Sequence, residues 1–156
     1  MGRPDRAHHR TPATSTPLVA GVAVLALLVL TGCTSTREQA REGSVTRVRA
    51  MAETLREDLA GAGRGSSGEA QLEAVRAALP DLPLTPRPDG EGVTVTGAMT
   101  ATSETGGGLS YESFVARLCL SYRIAPGSGE TEVADAPCPA DLAAVAPADE
   151  TVRLRE

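Results

Sequence analysis

Three cysteines are the residues of this sequence best suited to covalent chemistry. They are Cys33, Cys119 and Cys138. Redox-active pairs favour a Cys-x-x-Cys spacing, which Cys119 and Cys138 do not have. If the chain is exported and Cys33 is used elsewhere, Cys119 and Cys138 form an even pair in a compartment where disulfides persist. The spacing therefore favours a structural disulfide, with two free thiols as the alternative.

Histidine is confined to the start of the chain, at His8 and His9. Nucleophilic catalysis by Ser–His or Cys–His pairs needs a histidine base, so residues 10–156 cannot supply it. Zinc sites built from His and Cys lack their ligands for the same reason. Ser110, Ser113 and Ser121 also lack a Gly-x-Ser-x-Gly context, and we interpret them as ordinary strand residues.

Several acidic side chains crowd the C-terminal part of the chain, at Glu130, Glu132, Asp135 and Asp141. Calcium accepts such oxygen ligands, but no Asp-x-Asp-x-Asp-Gly loop is present and a solvated acidic surface is the simpler interpretation. Paired carboxylates can also hydrolyse glycosides. With one Phe, two Tyr and no Trp, the chain makes a poor sugar cleft. The sequence therefore predicts no catalytic residue, no metal site and no cofactor.

Residues 1–32 have the anatomy of an export signal. Three arginines and one aspartate precede residues 18–30, which carry no charged or hydrogen-bonding side chain. An apolar run of ~7–15 residues after a basic stretch is typical of a signal peptide. A permanent span needs ~20 apolar residues, so this run is too short to remain in the bilayer as one.

The apolar run ends in Leu30-Thr31-Gly32-Cys33. Here the chain resembles bacterial lipoprotein precursors, whose signal peptides end in a lipobox of the form Leu-(small)-(Gly/Ala)-Cys. The resemblance implies that Cys33 carries diacylglycerol, becomes the new N-terminus after cleavage, and anchors the chain through acyl chains such as palmitate to the extracytoplasmic face of the cell membrane. Two or more chains anchor stably, whereas one does not. The resemblance to lipoprotein precursors covers residues 1–33 only. A plain signal peptide or membrane anchor is the alternative.

Charge separates the signal from the rest of the chain. Of 15 basic and 20 acidic residues, three Arg and one Asp lie within residues 1–32, so the remainder carries a net charge of −7. An acidic protein has no electrostatic reason to bind nucleic acid. Every basic residue is Arg, which with abundant Ala, Gly and Pro indicates a GC-rich genome.

Composition beyond the signal predicts residues 33–43 as a polar tether and residues 44–156 as one small domain. Apolar residues recur at helical spacing over 45–60 and again over 69–79, which predicts two helices. The pattern then changes to a period of two, which predicts strands over 92–103, 109–124 and 130–136.

Strand register follows from placing the apolar faces together. This sets Val93 opposite Leu118 across the first turn. Symmetry about the second turn, at 126–129, sets Cys119 opposite Ala136 and so brings Cys138 within disulfide range. The predicted fold class is α+β, with two N-terminal helices packed on a small antiparallel β-meander that carries one disulfide.

These features predict a membrane-anchored lipoprotein whose domain is not an enzyme but an interaction or accessory module of the cell envelope. The expected partners are the membrane, through the lipid on Cys33, and an envelope protein. A carrier of small apolar ligands is the main alternative, and an enzyme that uses carboxylates alone is a weaker one.

Overall fold

The computed structural model describes residues 35–79, 81–107, 110–140 and 147–155. The predicted export signal and Cys33 lie outside these residues, as does Asp141. Among the described residues the chain forms two helices and five strands.

Helix α1 spans Thr36–Gly63 and begins earlier than predicted. Ser35 caps it, because its side-chain oxygen accepts a hydrogen bond from the Glu38 amide at 3.2 Å. The predicted tether over 33–43 is therefore wrong for residues 36–43, which form the first turns of α1. Few apolar residues mark this stretch, but Ala40 is fully buried, and Arg41 binds Glu150 on the last strand.

Helix α2, predicted over 69–79, spans Gly68–Ala77. Val75 is fully buried and attaches the helix to the core. Gln71 is also fully buried, and its amide nitrogen donates to the Ala125 carbonyl at 3.0 Å. This bond joins α2 to the turn that follows the third strand.

The strands form one sheet in the order β1-β2-β3-β4, antiparallel throughout, with β5 added parallel to β3. Their bounds are Leu84–Asp89 (β1), Gly92–Gly107 (β2), Ser110–Ile124 (β3), Thr131–Asp135 (β4) and Glu150–Val152 (β5). The α+β class and the meander are confirmed. Strand β1 was not predicted, because Pro86 and Pro88 indicate only an extended, stiff stretch of chain.

The predicted register of β2 and β3 is wrong by six residues. Val93 lies opposite Ile124 rather than Leu118, and the ribbon continues to Gly107 opposite Ser110. A shift by an even number of residues keeps the same side chains on the same face, so burial alone could not choose between the two registers. The longer ribbon pairs more backbone groups, which favours the observed register.

The register of β3 and β4 agrees with the prediction. Leu120 lies opposite Asp135, and the Ala136 amide donates to the Cys119 carbonyl at 3.0 Å. Cys119 and Cys138 form a disulfide with Cα atoms 5.2 Å apart, which confirms that prediction.

The core lies between α1 and one face of the sheet. Alternate residues of β3 point into it, and Leu118, Leu120, Tyr122 and Ile124 are fully buried there. From α1 the stripe of Val48, Ala52, Leu55 and Leu59 meets them. Burying a side chain such as Leu or Ile stabilises the fold by about 1.5–3 kcal/mol, so this one layer supplies most of the driving force.

Candidate functional site

The two cysteines of the disulfide lie away from the helices. Cys119 alternates with the core residues of β3, so it faces the side of the sheet opposite α1. The bond ties the segment after β4 to β3, and Cys119 is only 3 % exposed. Its position is that of a structural crosslink.

The acidic residues singled out from the sequence do not converge. Glu130 and Glu132 line a surface cavity of about 470 Å³ together with Asp89 and Glu91. Asp135 instead accepts a hydrogen bond from the Leu154 amide at 2.8 Å. Over the described part of the chain, no group of three or more His, Cys, Asp or Glu is placed to hold a metal ion.

Strand β2 is longer than its outer neighbour, which leaves part of its edge open. The pairing of β1 ends at Leu84 opposite Gly97. Asp89 and Gly92 flank a two-residue turn, so they form a hydrogen-bonded pair. Because such pairs alternate along an antiparallel ladder, the even-numbered residues of β2 direct their N–H and C=O groups to the β1 side, away from β3. Beyond residue 97 no strand covers this side of β2 within the described residues.

The outer edge of β1 is closed by proline. Pro86 and Pro88 lie opposite the odd-numbered Val95 and Val93, so their backbone nitrogens face away from β2. A proline there offers no donor to an incoming strand, which is a common means of protecting a sheet edge. Residues 98–107 of β2 contain no proline. Proline thus protects the edge of β1, whereas residues 98–107 of β2 have neither proline nor, in the described structure, a paired strand on that side.

An apolar groove of about 370 Å³ adjoins the open edge of β2. Met51 and Leu55 of α1 form one wall, Ala78 and Leu82 form the other, and Met99 of β2 forms the floor. Met51 is 37 % exposed, whereas Met99 is only 5 % exposed. Methionine side chains adapt to irregular ligands, so this groove suits an apolar side chain of variable shape.

Two opposite charges border the groove, Arg47 at one end and Asp58 at the other. The Arg47 guanidinium donates to the Thr102 carbonyl at 2.7 Å, which places it at the open edge of β2. Neither side chain takes part in an ion pair among residues 35–79, 81–107, 110–140 and 147–155. Arg47 is thus held by a backbone carbonyl and not by a carboxylate.

Arg117 lies on the opposite face of the sheet and is 8 % exposed. Its Nε and Nη2 atoms are buried and have no hydrogen-bond partner in the described structure. A buried cation without a partner costs free energy. Arg117 does not line the groove and stands apart from it.

Comparison of the chain with protein-family models, with curated proteins and with solved structures found no match. In the described residues, no helix combines the length and the apolar character needed to cross a membrane.

Sequence patterns alone did not reveal the groove. Met51 falls outside the buried stripe of α1, and this is the one signal that could have indicated an exposed apolar site. Leu82 and Met99 come from separate segments that only the observed topology brings together. The open edge depends on where β1 ends opposite Gly97, and β1 was not predicted.

Proposed function

We propose that this protein is a lipid-anchored interaction module on the extracytoplasmic face of the cell membrane. The observation that carries the proposal is the sequence Leu30-Thr31-Gly32-Cys33 at the end of an apolar run of export-signal length. In lipoprotein precursors a cysteine in this place receives the lipid. An anchor made of two or more acyl chains holds a protein stably at a bilayer.

The early start of α1 sharpens this proposal. Only Thr34 and Ser35 separate Cys33 from the first helical residue, Thr36. An extended chain spans at most ~3.3–3.6 Å per residue, so the lipid and the helix would be on the order of 10 Å apart. A mature chain that begins at Cys33 would therefore have only a two-residue link between the lipid and α1.

The surface of the domain supports an interaction role. Part of the β2 edge has no paired strand in the described residues, and an apolar groove lies beside it. Open sheet edges and apolar grooves are both recurring means of peptide recognition. Residues 33–156 contain no histidine, which agrees with a role in binding.

A carrier of small apolar ligands is the second candidate, and the apolar walls of the groove favour it. The space between α1 and the sheet, where such a ligand would be best protected, is filled by Leu59, Leu118 and Tyr122. A ligand would therefore have to use the open groove. Ligand pockets that bury a small molecule are usually more enclosed.

Membrane fractionation of expressing cells tests the anchor. We expect the wild-type protein to sediment with membranes, to resist a high-salt wash and to be released by detergent. The Cys33→Ala variant should appear in the soluble fraction, because its apolar run is too short for a permanent span. Thr34→Ala, which leaves the lipobox intact, is the matched control and should behave as wild type. Tight membrane retention of Cys33→Ala would contradict lipidation.

A further inference from the structure

The ribbon of β2 and β3 ends in a hairpin that carries an exposed aromatic ring. We define this hairpin tip by its described residues Thr105, Gly106, Gly107, Ser110 and Tyr111. Tyr111 is 66 % exposed and, with Met51, is one of two exposed large apolar side chains among the described residues. It lies opposite Gly106, which has no side chain to cover the ring. Residues 105–111 contain no charged side chain, so the hairpin tip is an uncharged, aromatic end of the ribbon.

The hairpin tip and the start of α1 belong to the same end of the fold. Arg37, in the first turn of α1, places its guanidinium 5.7 Å from the centroid of the Phe114 ring and 3.9 Å from a Glu112 carboxylate oxygen. Farther along α1, the Arg47 guanidinium binds the Thr102 carbonyl at 2.7 Å. Helix α1 therefore begins beside the last residues before the hairpin tip and runs away from it.

The hairpin tip and a lipid on Cys33 would extend past this end of the fold by similar lengths. From Glu112 to Ser110 a strand covers about 7 Å, at ~3.3 Å per residue. Cys33 precedes Thr36 by three residues, so its lipid would lie within about 10 Å of the start of the helix. A bilayer that holds this lipid is therefore within reach of Tyr111.

We infer that the hairpin tip is a second membrane-contact site, at which the Tyr111 ring enters the headgroup layer of a zwitterionic bilayer. The inference rests on the proposed lipid anchor and adds a contact that the anchor itself does not require. Tyrosine joins an apolar body to a polar hydroxyl, which suits a boundary between acyl chains and water. The Tyr111 hydroxyl binds the Glu104 carboxylate, so the ring can enter this layer without leaving an unpaired donor.

Charge determines which headgroups suit the hairpin tip. Glu104 and Glu112 lie directly behind its uncharged residues, one on each strand. The ammonium groups of zwitterionic lipids can approach these carboxylates, whereas the negative surface of an anionic bilayer repels them. The hairpin tip therefore favours zwitterionic over anionic lipid.

A contact made by one ring is sufficient because the anchor makes it intramolecular. A tethered second site meets its partner at an effective concentration on the order of millimolar, so a weak contact is occupied without any high affinity of its own. Two points of attachment also limit how far the chain can turn about its lipid. The contact at Tyr111 would thereby orient the protein on the membrane.

Hydroxyl-radical footprinting of the lipidated full chain in phosphatidylcholine vesicles tests the inference. We expect Tyr111 to be oxidised about fivefold more slowly than in the soluble Cys33→Ala variant mixed with the same vesicles, because the headgroup layer shields the ring. Met51, the other exposed apolar side chain, lies in the middle of α1 and is the internal reference, with an unchanged rate. Added phosphatidylglycerol should reduce the protection of Tyr111.

A fluorescent reporter locates the contact, since the chain contains no Trp. The Tyr111→Trp variant should be quenched by brominated phosphatidylcholine in the vesicles. Glu91→Trp, at an exposed position beside the opposite end of β2, is the matched control and should not be quenched. Thermal melting of both variants shows that the fold is retained, and footprinting of wild-type Tyr111 shows that the native ring makes the contact.

The outcomes separate this inference from the proposed anchor. Sedimentation with vesicles reports the anchor, and protection of Tyr111 reports the hairpin tip. Wild-type protein that sediments while its Tyr111 is oxidised as fast as in Cys33→Ala would overturn the inference and leave the anchor intact. Wild-type protein that does not sediment would overturn both.

Two further results would also overturn the inference. Equal or greater protection of Tyr111 in phosphatidylglycerol vesicles would contradict a zwitterionic contact. Protection that persists in detergent without vesicles and rises with protein concentration would assign the hairpin tip to a contact between two copies of the chain.

Discussion

Tyr122 is a buried core residue whose hydroxyl also makes a hydrogen bond. Its side chain is fully buried beneath α1, and its hydroxyl donates to the Ala52 carbonyl at 3.1 Å. The Met99 sulfur lies 3.8 Å from the same hydroxyl. Burial, with a smaller contribution from the nearby Glu53 carboxylate, raises the pKa of this phenol far above its usual value.

Removal of the Tyr122 hydroxyl tests this contact. We expect Tyr122→Phe to lower the free energy of unfolding by about 1 kcal/mol at neutral pH, because one buried hydrogen bond is lost while the ring still packs. Urea denaturation followed by circular dichroism measures the change. A variant more stable than wild type at neutral pH would show that the hydroxyl is not satisfied as described.

Alkaline pH should reveal the raised pKa of Tyr122. Above pH ~10 the unfolded chain loses its tyrosine proton while folded Tyr122 keeps it, so the wild-type stability falls as pH rises, by at most ~1.4 kcal/mol per pH unit. Tyr122→Phe should lose this part of the slope. Tyr111→Phe is the control, because Tyr111 is exposed, and its pKa is raised mainly by a hydrogen bond to Glu104. Equal slopes in wild type and Tyr122→Phe would contradict a buried phenol.

Individual residues also show what the sequence could and could not predict. Ser35 and Glu38 match a capping box, the signal that places the start of α1 correctly. The polar composition of residues 36–43 gave no helical pattern of apolar residues, because tertiary contacts hold this part of α1. The Nε of Arg41 lies 2.6 Å from a Glu150 carboxylate oxygen, although the two residues are far apart in the chain. Local patterns carry no information on such a pair.

At the scale of elements, turns decided which strand registers were predictable. The turn at 126–129 has one sharp centre in Pro-Gly-Ser-Gly, and the register of β3 with β4 followed from it. Between β2 and β3 the glycines at 106–108 allow several centres, and all even shifts bury the same face. The parallel pairing of β5 with β3 brings together Val152 and Leu118, and no periodicity in the sequence indicates it.

The disulfide joins two elements whose pairing is short. Strand β4 contributes five residues, and Cys138 lies three residues beyond it. In the chain-entropy model, closing a loop of 19 residues stabilises the fold by about 3 kcal/mol. The crosslink therefore supports the edge formed by β4 and the segment that follows it.

Loss of the disulfide should lower the free energy of unfolding and loosen mainly the structure around β4. We expect the double variant Cys119→Ser, Cys138→Ser to unfold at lower urea concentration, by an amount equivalent to about 3 kcal/mol. Hydrogen exchange should rise first in β4, while the amides of β2 and the centre of α1 stay protected. Free-thiol labelling of the native wild-type protein provides the direct control. Labelling of both cysteines before unfolding would contradict the bond.

At the scale of the whole molecule, two helices pack on a five-stranded sheet in the described residues. The α+β class could be predicted from two changes of periodicity along the chain. The open edge of β2 beyond Gly97 could not be predicted, because it depends on where β1 ends relative to β2.

Lipid anchoring can be tested by mass spectrometry of the N-terminal peptide of protein extracted from membranes. We expect a peptide that begins at Cys33 and carries the mass of a diacylglyceryl group, with or without a further acyl chain. We also expect that no peptide containing His8 or His9 remains. A mature chain that retains residues 1–32, or one that begins near residue 33 with an unmodified Cys33 thiol, would contradict lipid anchoring.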